Sequence, residues 1–207
     1  MDSSNVKIID ITKKIDYEGY LYKCLSPIPF RKYKKRSEYL EIAIPKGFHK
    51  KILMFKGEVV GQIEYAPAKV SGYPIMGDNL IVMNCIWVLR KAKGYNFGKK
   101  LLFNMKKSEK KAFGFATIAL ENHWSGWFKK EQIMKLGFKP IDYINVSHKL
   151  KHKGEYFKIY LMWLPINKNA IKPKWDKSKL LRGVDFCIAH PLYHPERLKL
   201  KEILEKH

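Results

Sequence analysis

The sequence predicts an α/β fold in which helices alternate with the strands of a mixed sheet. Two apolar runs, 80–89 and 115–120, are typical of strands that are buried on both faces of a sheet. Each run is followed by a stretch with apolar residues at helical spacing, 98–111 after the first and 125–136 after the second. The chain has 207 residues, of which 46% are hydrophobic, and is therefore long enough to bury a sizeable core.

The elements before the first apolar run are predicted from shorter patterns. They are a strand, two helices and a hairpin that turns at Gly57: 6–11, 15–24, 33–43, and 51–56 with 58–66. Residues 66–79 contain two prolines and two glycines and are expected to form a long loop. The hairpin is the clearest of these signals, because a glycine turn separates two runs of strand-forming residues.

The last third of the chain changes character after Pro165. Before that residue, 142–146 and 156–163 predict two further strands. We therefore expect one main domain over 1–164 and an appendage over 165–207 that docks on it. Within the appendage, 184–189 is expected to be a short strand and 196–206 a terminal helix.

Composition restricts the class of protein and its partners. The net charge of +22 attracts anions, so an acidic or nucleic-acid partner is one expectation and a solvated lysine-rich surface is the other. No run approaches the ~18 apolar residues of a membrane span, and the first residues lack the apolar segment of a signal peptide. We expect a cytoplasmic protein with no membrane association.

Cysteine usage indicates reduced thiols. Cys24, Cys85 and Cys187 are far apart in the sequence and form no Cys-x-x-Cys pair, so we expect no disulfide and no structural zinc site. A short cluster near the end of the chain contains residue types that can ligate zinc: Cys187, His190, His194 and Glu196. The cluster has no partner cluster elsewhere, and no metal site is therefore predicted.

The segment between the first apolar run and its helix has the composition of an anion site. Gly94 allows a positive φ or a close backbone approach, Asn96 tolerates the left-handed region and is a good N-cap, and Gly98 lets a ligand lie near the first helical turn. The first N–H groups of a helix lack internal partners and carry partial positive charge. Phosphate is a natural ligand there, although the glycines could equally serve the turn alone.

The stretch 86–102 resembles the coenzyme-A loop of the GNAT N-acetyltransferase superfamily. Its strand ends in the triplet Ile86, Trp87 and Val88, and a motif of the form Gln/Arg-x-x-Gly-x-Gly/Ala follows at the usual spacing. The residues at and beside that motif are Lys93, Gly94, Tyr95, Asn96, Phe97, Gly98 and Lys99. Lys93 stands in for Gln/Arg, and Asn96 replaces the middle glycine. Lys135-Leu-Gly-Phe138 is similar to a second family segment.

The resemblance, which covers about 50–165, has implications for fold and chemistry. It implies an acyl-CoA N-acyltransferase-like fold with a mixed, mostly antiparallel central sheet. It also implies that acetyl-CoA is the cofactor, held by Ile86 to Val88 and by the motif, and that an acetyl group moves directly to a primary amine. The tyrosine that many members use as general acid is replaced by Ile133.

Three residues are candidates for proton transfer. Glu64 is the leading candidate for the general base, because it lies on the strand beside the predicted central one. Glu121 and His123 follow the strand that ends at Leu120, near the expected cofactor turn. The alternatives are an exposed strand carboxylate paired with a lysine for Glu64 and a solvated loop for the other two.

A second functional hypothesis rests on charge alone. The chain could be a basic nucleic-acid-binding module, associated with RNA, that lacks robust acyltransferase activity. Under the first hypothesis the partner is an amine-bearing acceptor of unknown type, and the protein is a monomer or a homodimer.

Overall fold

In the computed structural model of the chain, the described residues are 5–22, 34–124, 126, 128–149, 154–181 and 204–207, and for 34–38 the description covers the backbone only. Ten strands are described: β1 (Val6–Asp10), β2 (His49–Phe55), β3 (Glu58–Pro67), β4 (Ile75–Met76), β5 (Leu80–Val88), β6 (Gly114–Glu121), β7 (Lys139–His148), β8 (Tyr156–Pro165), β9 (Lys174–Trp175) and β10 (Leu204–Lys206). The α-helices are α1 (Glu18–Leu21), α2 (Lys34–Ala43), α3 (Phe97–Ser108), α4 (Lys130–Lys135) and α5 (Lys177–Leu180).

Eight strands form one sheet in the order β1-β2-β3-β5-β6-β8-β7-β10, and β4 pairs with β9 in a second, two-stranded sheet. All pairings in the large sheet are antiparallel except that of β5 with β6. The predicted α/β class with a mixed, mostly antiparallel sheet is therefore confirmed. The parallel pairing joins the two apolar runs at the centre of the sheet, where burial on both faces favours continuous apolar sequence.

Helices α3 and α4 cover one face of the sheet. A Cβ added at Gly61 of β3 would lie 3.3 Å from the Leu101 side chain of α3, so glycine permits this close packing. Lys51 of β2 reaches the same face and donates a hydrogen bond of 2.8 Å to Asn104. The lysine-rich side of α3 faces solvent, and its apolar stripe of Leu101, Leu102 and Met105 is buried.

The opposite face carries a second apolar cluster beneath α1 and α2. Leu21, Tyr39, Leu40 and Ala43 pack there against sheet residues that include Ile52. The segment after Pro165 is joined to the rest of the fold beside β7, because Trp175 donates a hydrogen bond of 2.7 Å to Asp142 and Lys177 donates one of 2.8 Å. The division into 1–164 and 165–207 stays a prediction.

Three expectations about individual elements are wrong. Helix α4 begins at Lys130 rather than at residue 125, because Phe128 has a positive φ of 48° and its carbonyl accepts a hydrogen bond of 2.7 Å from the backbone of Leu120. Residues 204–206 of the expected terminal helix form strand β10, which pairs with β7. The loop over 66–79 contains β4. The expected strand over 184–189 lies outside the described residues.

Gly114 provides a test of packing at the base of the central strands. A Cβ at this position would lie 2.0 Å from the Trp163 ring, which is almost fully buried. We expect Gly114→Ala to lower the free energy of unfolding by about 2–3 kcal/mol through overpacking, measured by urea denaturation. Gly19→Ala is the control, because an added Cβ there meets no atom within 4 Å. Equal stability of the two variants would contradict this packing.

Candidate active site

Strands β5 and β6 separate soon after they meet. Their parallel pairing is limited to Leu80 with Gly114, Ile81 with Phe115, and Val82 with Ala116. Just beyond it, the Thr117 hydroxyl donates a hydrogen bond of 2.7 Å to the carbonyl of Met83. This bond ties the two strands together at the point of separation, and a gap opens between them beyond it.

A bulge in β5 lies beside the same point. Glu64 of β3 pairs with Cys85 and Tyr65 pairs with Met83, so Asn84 is the extra residue in β5. A bulge bends its strand and increases the local twist, which turns the end of β5 away from β6. The bulge has no local sequence signal, because 80–88 contains neither glycine nor proline.

The turn after β5 leads to an uncapped helix N-terminus. Gly94 has a φ of +90°, and Asn96 lies in the left-handed region at a φ of 56°. The Asn96 side chain makes no capping hydrogen bond, so the expected N-cap is present by position but not through its side chain. The N–H groups of Phe97, Gly98 and Lys99 therefore have no intrahelical partner.

Positive charge surrounds this helix end. Lys93, Lys99 and Lys100 are exposed. Lys93 and Lys99 form no ion pair within the described part of the chain. Lys91 differs, because its ammonium pairs with Glu58 in the hairpin turn and so fastens the loop to β3. Lys93, Lys99 and Lys100 thus add exposed positive charge close to the positive end of the α3 dipole.

Aromatic packing holds the turn in place. Tyr95 and Phe97 stack with a centroid distance of 5.2 Å, and both rings contact Phe55 at the end of β2. The Phe97 side chain is buried, whereas that of Tyr95 is exposed on its outer side. Of the expected cofactor-binding residues, these two therefore have side chains that brace the loop, and their contribution to a ligand would come from the backbone.

Ile86, Trp87 and Val88 line the gap from the β5 side. One edge of this segment pairs with β3, where Val88 lies opposite Gly61. Its other edge faces β6 across the gap, and successive residues of a strand direct their backbone groups to alternate edges. All three residues are half-buried. The triplet and the α3 N-terminus thus lie at the two ends of one loop, residues 89–96.

Glu64 is in a buried ion pair and is not an exposed strand carboxylate. Its Oε1 lies 2.9 Å from Nζ of Lys50, and both side chains are almost fully inaccessible to solvent. Gln62 donates to the same oxygen at 3.4 Å, and Lys50 donates to the carbonyl of Leu21 at 3.4 Å. Burying two charged groups carries a large desolvation cost, and the fold retains this ion pair in spite of that cost. Its face of the sheet is the one that α1 and α2 cover.

Two neighbouring side-chain oxygens have no hydrogen-bond donor among the described residues. They are Gln62 Oε1 and Asn84 Oδ1, and both are buried. The Asn84 amide nitrogen donates a hydrogen bond to the carbonyl of Ser71. This bond fixes the orientation of the amide, and its oxygen Oδ1 remains without a donor among the described residues. Buried acceptors without donors are uncommon and call for a physical reason. Sequence reasoning missed both residues; the one available signal was a polar side chain within each of two apolar strands.

Glu121 lies on the other face, in a network with α4. Its carboxylate accepts hydrogen bonds of 2.6 Å from Lys130 and 2.8 Å from Tyr160. Lys130 and Tyr160 hold the pKa of Glu121 below its ordinary value, since both favour the ionised form, and the pKa of Lys130 is raised in turn. The structure therefore does not bring Glu64 and Glu121 together.

His123 belongs to an aromatic cluster. Its ring stacks on Trp124 at 4.0 Å and meets Phe157 edge-on at 4.6 Å. Ile133 is the residue at the position where the family resemblance implies a tyrosine, and its side chain is buried between α4 and the sheet. No phenol therefore occupies that position.

Other classes of site receive no support from the part of the chain that the structure describes. It contains no group of three or more histidine, cysteine or acidic residues placed to hold a metal ion. The candidate zinc ligands Cys187, His190, His194 and Glu196 lie outside it, as does Cys24. None of the described helices combines the length and apolar character of a transmembrane helix.

Similarity to known proteins is found at the level of structure. No protein-family model matches the sequence, and no curated protein matches it either. The fold is similar to that of a protein from Desulfovibrio desulfuricans assigned to the GNAT family of acetyltransferases, with a TM-score of 0.55 and 10% identity. The match covers 77% of this chain and 98% of that protein.

Two further solved structures are similar. A ribosomal-protein-alanine N-acetyltransferase from Brucella melitensis has a TM-score of 0.51 and 15% identity over 77% of this chain and 99% of its own. A GNAT acetyltransferase from Elizabethkingia anophelis, with acetyl-CoA bound, has a TM-score of 0.50 and 14% identity over 79% and 99%. These similarities confirm the acyl-CoA N-acyltransferase-like fold.

The buried ion pair makes a prediction about stability. Lys50→Met leaves Glu64 charged and buried without its ammonium, and we expect it to lower the free energy of unfolding by about 3–5 kcal/mol. The double variant Lys50→Met/Glu64→Met removes both charges and is expected to recover most of that loss. Urea denaturation of the two variants measures the difference. A double variant no more stable than the single one would contradict the pairing.

Proposed function

We propose that this chain, which has the fold of GNAT-family acetyltransferases, binds acetyl-CoA and transfers its acetyl group directly to a primary amine. One observation carries the proposal. The gap between β5 and β6 leads along Ile86, Trp87 and Val88 to the uncapped N-terminus of α3. An extended chain of amides can pair with the backbone edge of β5, and the α3 N-terminus beyond it can bind phosphate.

The residues of the turn fit the pyrophosphate of the cofactor. The N–H groups of Phe97, Gly98 and Lys99 would donate hydrogen bonds to its oxygens, and Lys93 would add charge. An added Cβ at Gly98 would be in ordinary van der Waals contact with Leu136, at 3.7 Å, so packing alone does not require glycine there. Asn96, in place of the usual glycine, already has the left-handed backbone that the turn requires.

The pantetheine arm fits the edge of β5 that faces the gap. Backbone groups of Ile86, Trp87 and Val88 on this edge would pair with its amides and hold the thioester carbonyl. The acetyl-CoA bound to the Elizabethkingia anophelis protein supports this choice of cofactor. The bound cofactor supplies the activated acyl group, and the chain supplies its orientation.

The acceptor face is the one that carries Glu64. Gln62 Oε1 and Asn84 Oδ1 are hydrogen-bond acceptors without donors among the described residues, and an amino group is a donor for such an acceptor. An amine of the lysine type has a pKa of ~10.4 and must lose a proton before attack. Glu64 is the proposed route for that proton, and Lys50 is the ion-pair partner of its carboxylate. Glu121 and His123 are less suitable, because Glu121 is hydrogen-bonded to Lys130 and Tyr160 and His123 packs in an aromatic cluster.

Departure of the thiolate needs no tyrosine in this scheme. A thiol has a pKa of ~8.5, so the thiolate is a moderately good leaving group at neutral pH. The fold does not support the alternative of a nucleic-acid-binding module without acyltransferase activity. The proposed acceptor is a primary amine, with no narrower class assigned to it.

Acetyl-CoA binding is tested by thermal stability. We expect acetyl-CoA at 100 times its Kd to stabilise the folded protein by about 2.7 kcal/mol, seen as a rise in Tm. Lys93→Glu is expected to remove that rise, because the charge beside the pyrophosphate is reversed. Lys168→Glu, at another exposed lysine, is the control and should keep it. Absence of any rise with the unchanged protein would refute the proposed cofactor.

The acceptor side is tested by kinetics. Release of thiol from acetyl-CoA is followed with a lysine-containing peptide, a peptide with a free N-terminus and spermidine as probes, and the fastest is chosen. We expect Asn84→Leu and Gln62→Leu to lower kcat/KM for that amine by about 10- to 100-fold, equivalent to about 1.4–2.8 kcal/mol. The Tm rise with acetyl-CoA should persist. If kcat/KM is unchanged in both variants, these two oxygens do not hold the acceptor amine and the assignment of the faces is wrong.

A further inference from the structure

A groove lies between β1 and the solvent-facing side of α3. It has a volume of about 500 Å³, and its lining includes Val6, Ile8, Asn96, Lys99, Lys100 and Phe103. We call it the β1–α3 groove. The groove shares Asn96 and Lys99 with the proposed cofactor turn, whereas Val6, Ile8 and Phe103 belong neither to that turn nor to the β5 edge. The proposed function therefore leaves most of the groove without a role.

An exposed aromatic ring stands at the centre of one wall. The Phe103 side chain is 69% exposed, which is unusual for phenylalanine on a helix whose opposite side is fully packed. The residues three and four positions away on either side are neighbours on a helix surface, and all four are lysines: Lys99, Lys100, Lys106 and Lys107. Helix α3 contains no acidic residue. The wall is thus an apolar ring within a positively charged rim.

The other wall is the edge of a sheet. Strand β1 is at the end of the strand order, and its outer edge pairs with no strand among the described residues. Val6 and Ile8, whose side chains line the groove, are half-buried. An open edge presents backbone N–H and C=O groups that an extended chain can pair with, while its side chains enter adjacent pockets. Native proteins usually protect such edges.

Charge selects the occupant. With a net charge of +22, a second copy of the chain would be repelled, whereas a segment rich in Asp and Glu would be attracted. Nucleic acid shares that attraction, but it has no amide backbone to pair with the β1 edge. One exposed ring beside two aliphatic side chains also suits apolar side chains better than a run of stacked bases.

We propose that the β1–α3 groove binds an extended acidic segment of a partner protein. The segment adds to the outer edge of β1 as a further strand. Its apolar side chains lie against Val6, Ile8 and Phe103, and its carboxylates meet the lysines of the rim. The proposal rests on the groove alone and does not depend on acetyl-CoA binding.

The test uses a fluorescein-labelled heptapeptide of alternating Glu and Val, with fluorescence anisotropy as the readout on the full chain. We expect binding that weakens as salt rises. Phe103→Glu is expected to weaken it by about tenfold or more, because the ring is lost and a repelling charge is added. Tyr156→Glu, at another exposed aromatic residue, controls for the change in charge and should have little effect.

Two comparisons distinguish strand pairing in the groove from attraction by charge and from binding of nucleic acid. The same peptide with N-methylated valines cannot pair as a strand, and we expect it to bind at least tenfold more weakly. Equal binding of the methylated peptide, or equal loss in the two variants, would show attraction by charge alone and overturn the proposal. An oligouridylate that binds more tightly than the peptide and depends on Phe103 would also overturn it, in favour of nucleic acid.

Discussion

Among the described residues, the backbone of β5 beyond Met83 pairs with a strand on one edge only, and this constraint organises the centre of the molecule. Parallel pairing with β6 ends after three residues, the Thr117 hydroxyl ties the strands where they part, and the bulge at Asn84 turns β5 aside. Buried backbone groups need hydrogen-bond partners. A ligand with amide groups of its own can supply them, which is the physical basis of the proposed cofactor path.

Much of this arrangement could be predicted from sequence. Apolar runs identified β5 and β6, and the glycine turn identified the hairpin, because burial and turn geometry leave strong local patterns. The left-handed Asn96 and the positive φ of Gly94 also followed from residue type. The family resemblance then indicated what the uncapped end of α3 would hold, which local patterns alone left undecided.

Features that depend on contacts between distant segments were not predictable. The start of α4 depends on the backbone bond between Leu120 and Phe128. The ion pair of Glu64 depends on Lys50 from the neighbouring strand β2, whereas the sequence indicated a general base or, as the alternative, an exposed carboxylate paired with a lysine. The bulge at Asn84 depends on the pairing of β5 with β3. Tertiary contacts overrode local preference at each of these positions.

A single ligand that spans the β5 edge and the α3 N-terminus is the core of the proposed function. Amide hydrogen exchange with and without coenzyme A tests this most directly, because each N–H reports its own protection. We expect slower exchange at residues 86–88 and 97–99, with no change in β2. Slower exchange confined to α3, or protection at neither segment, would contradict the proposed path.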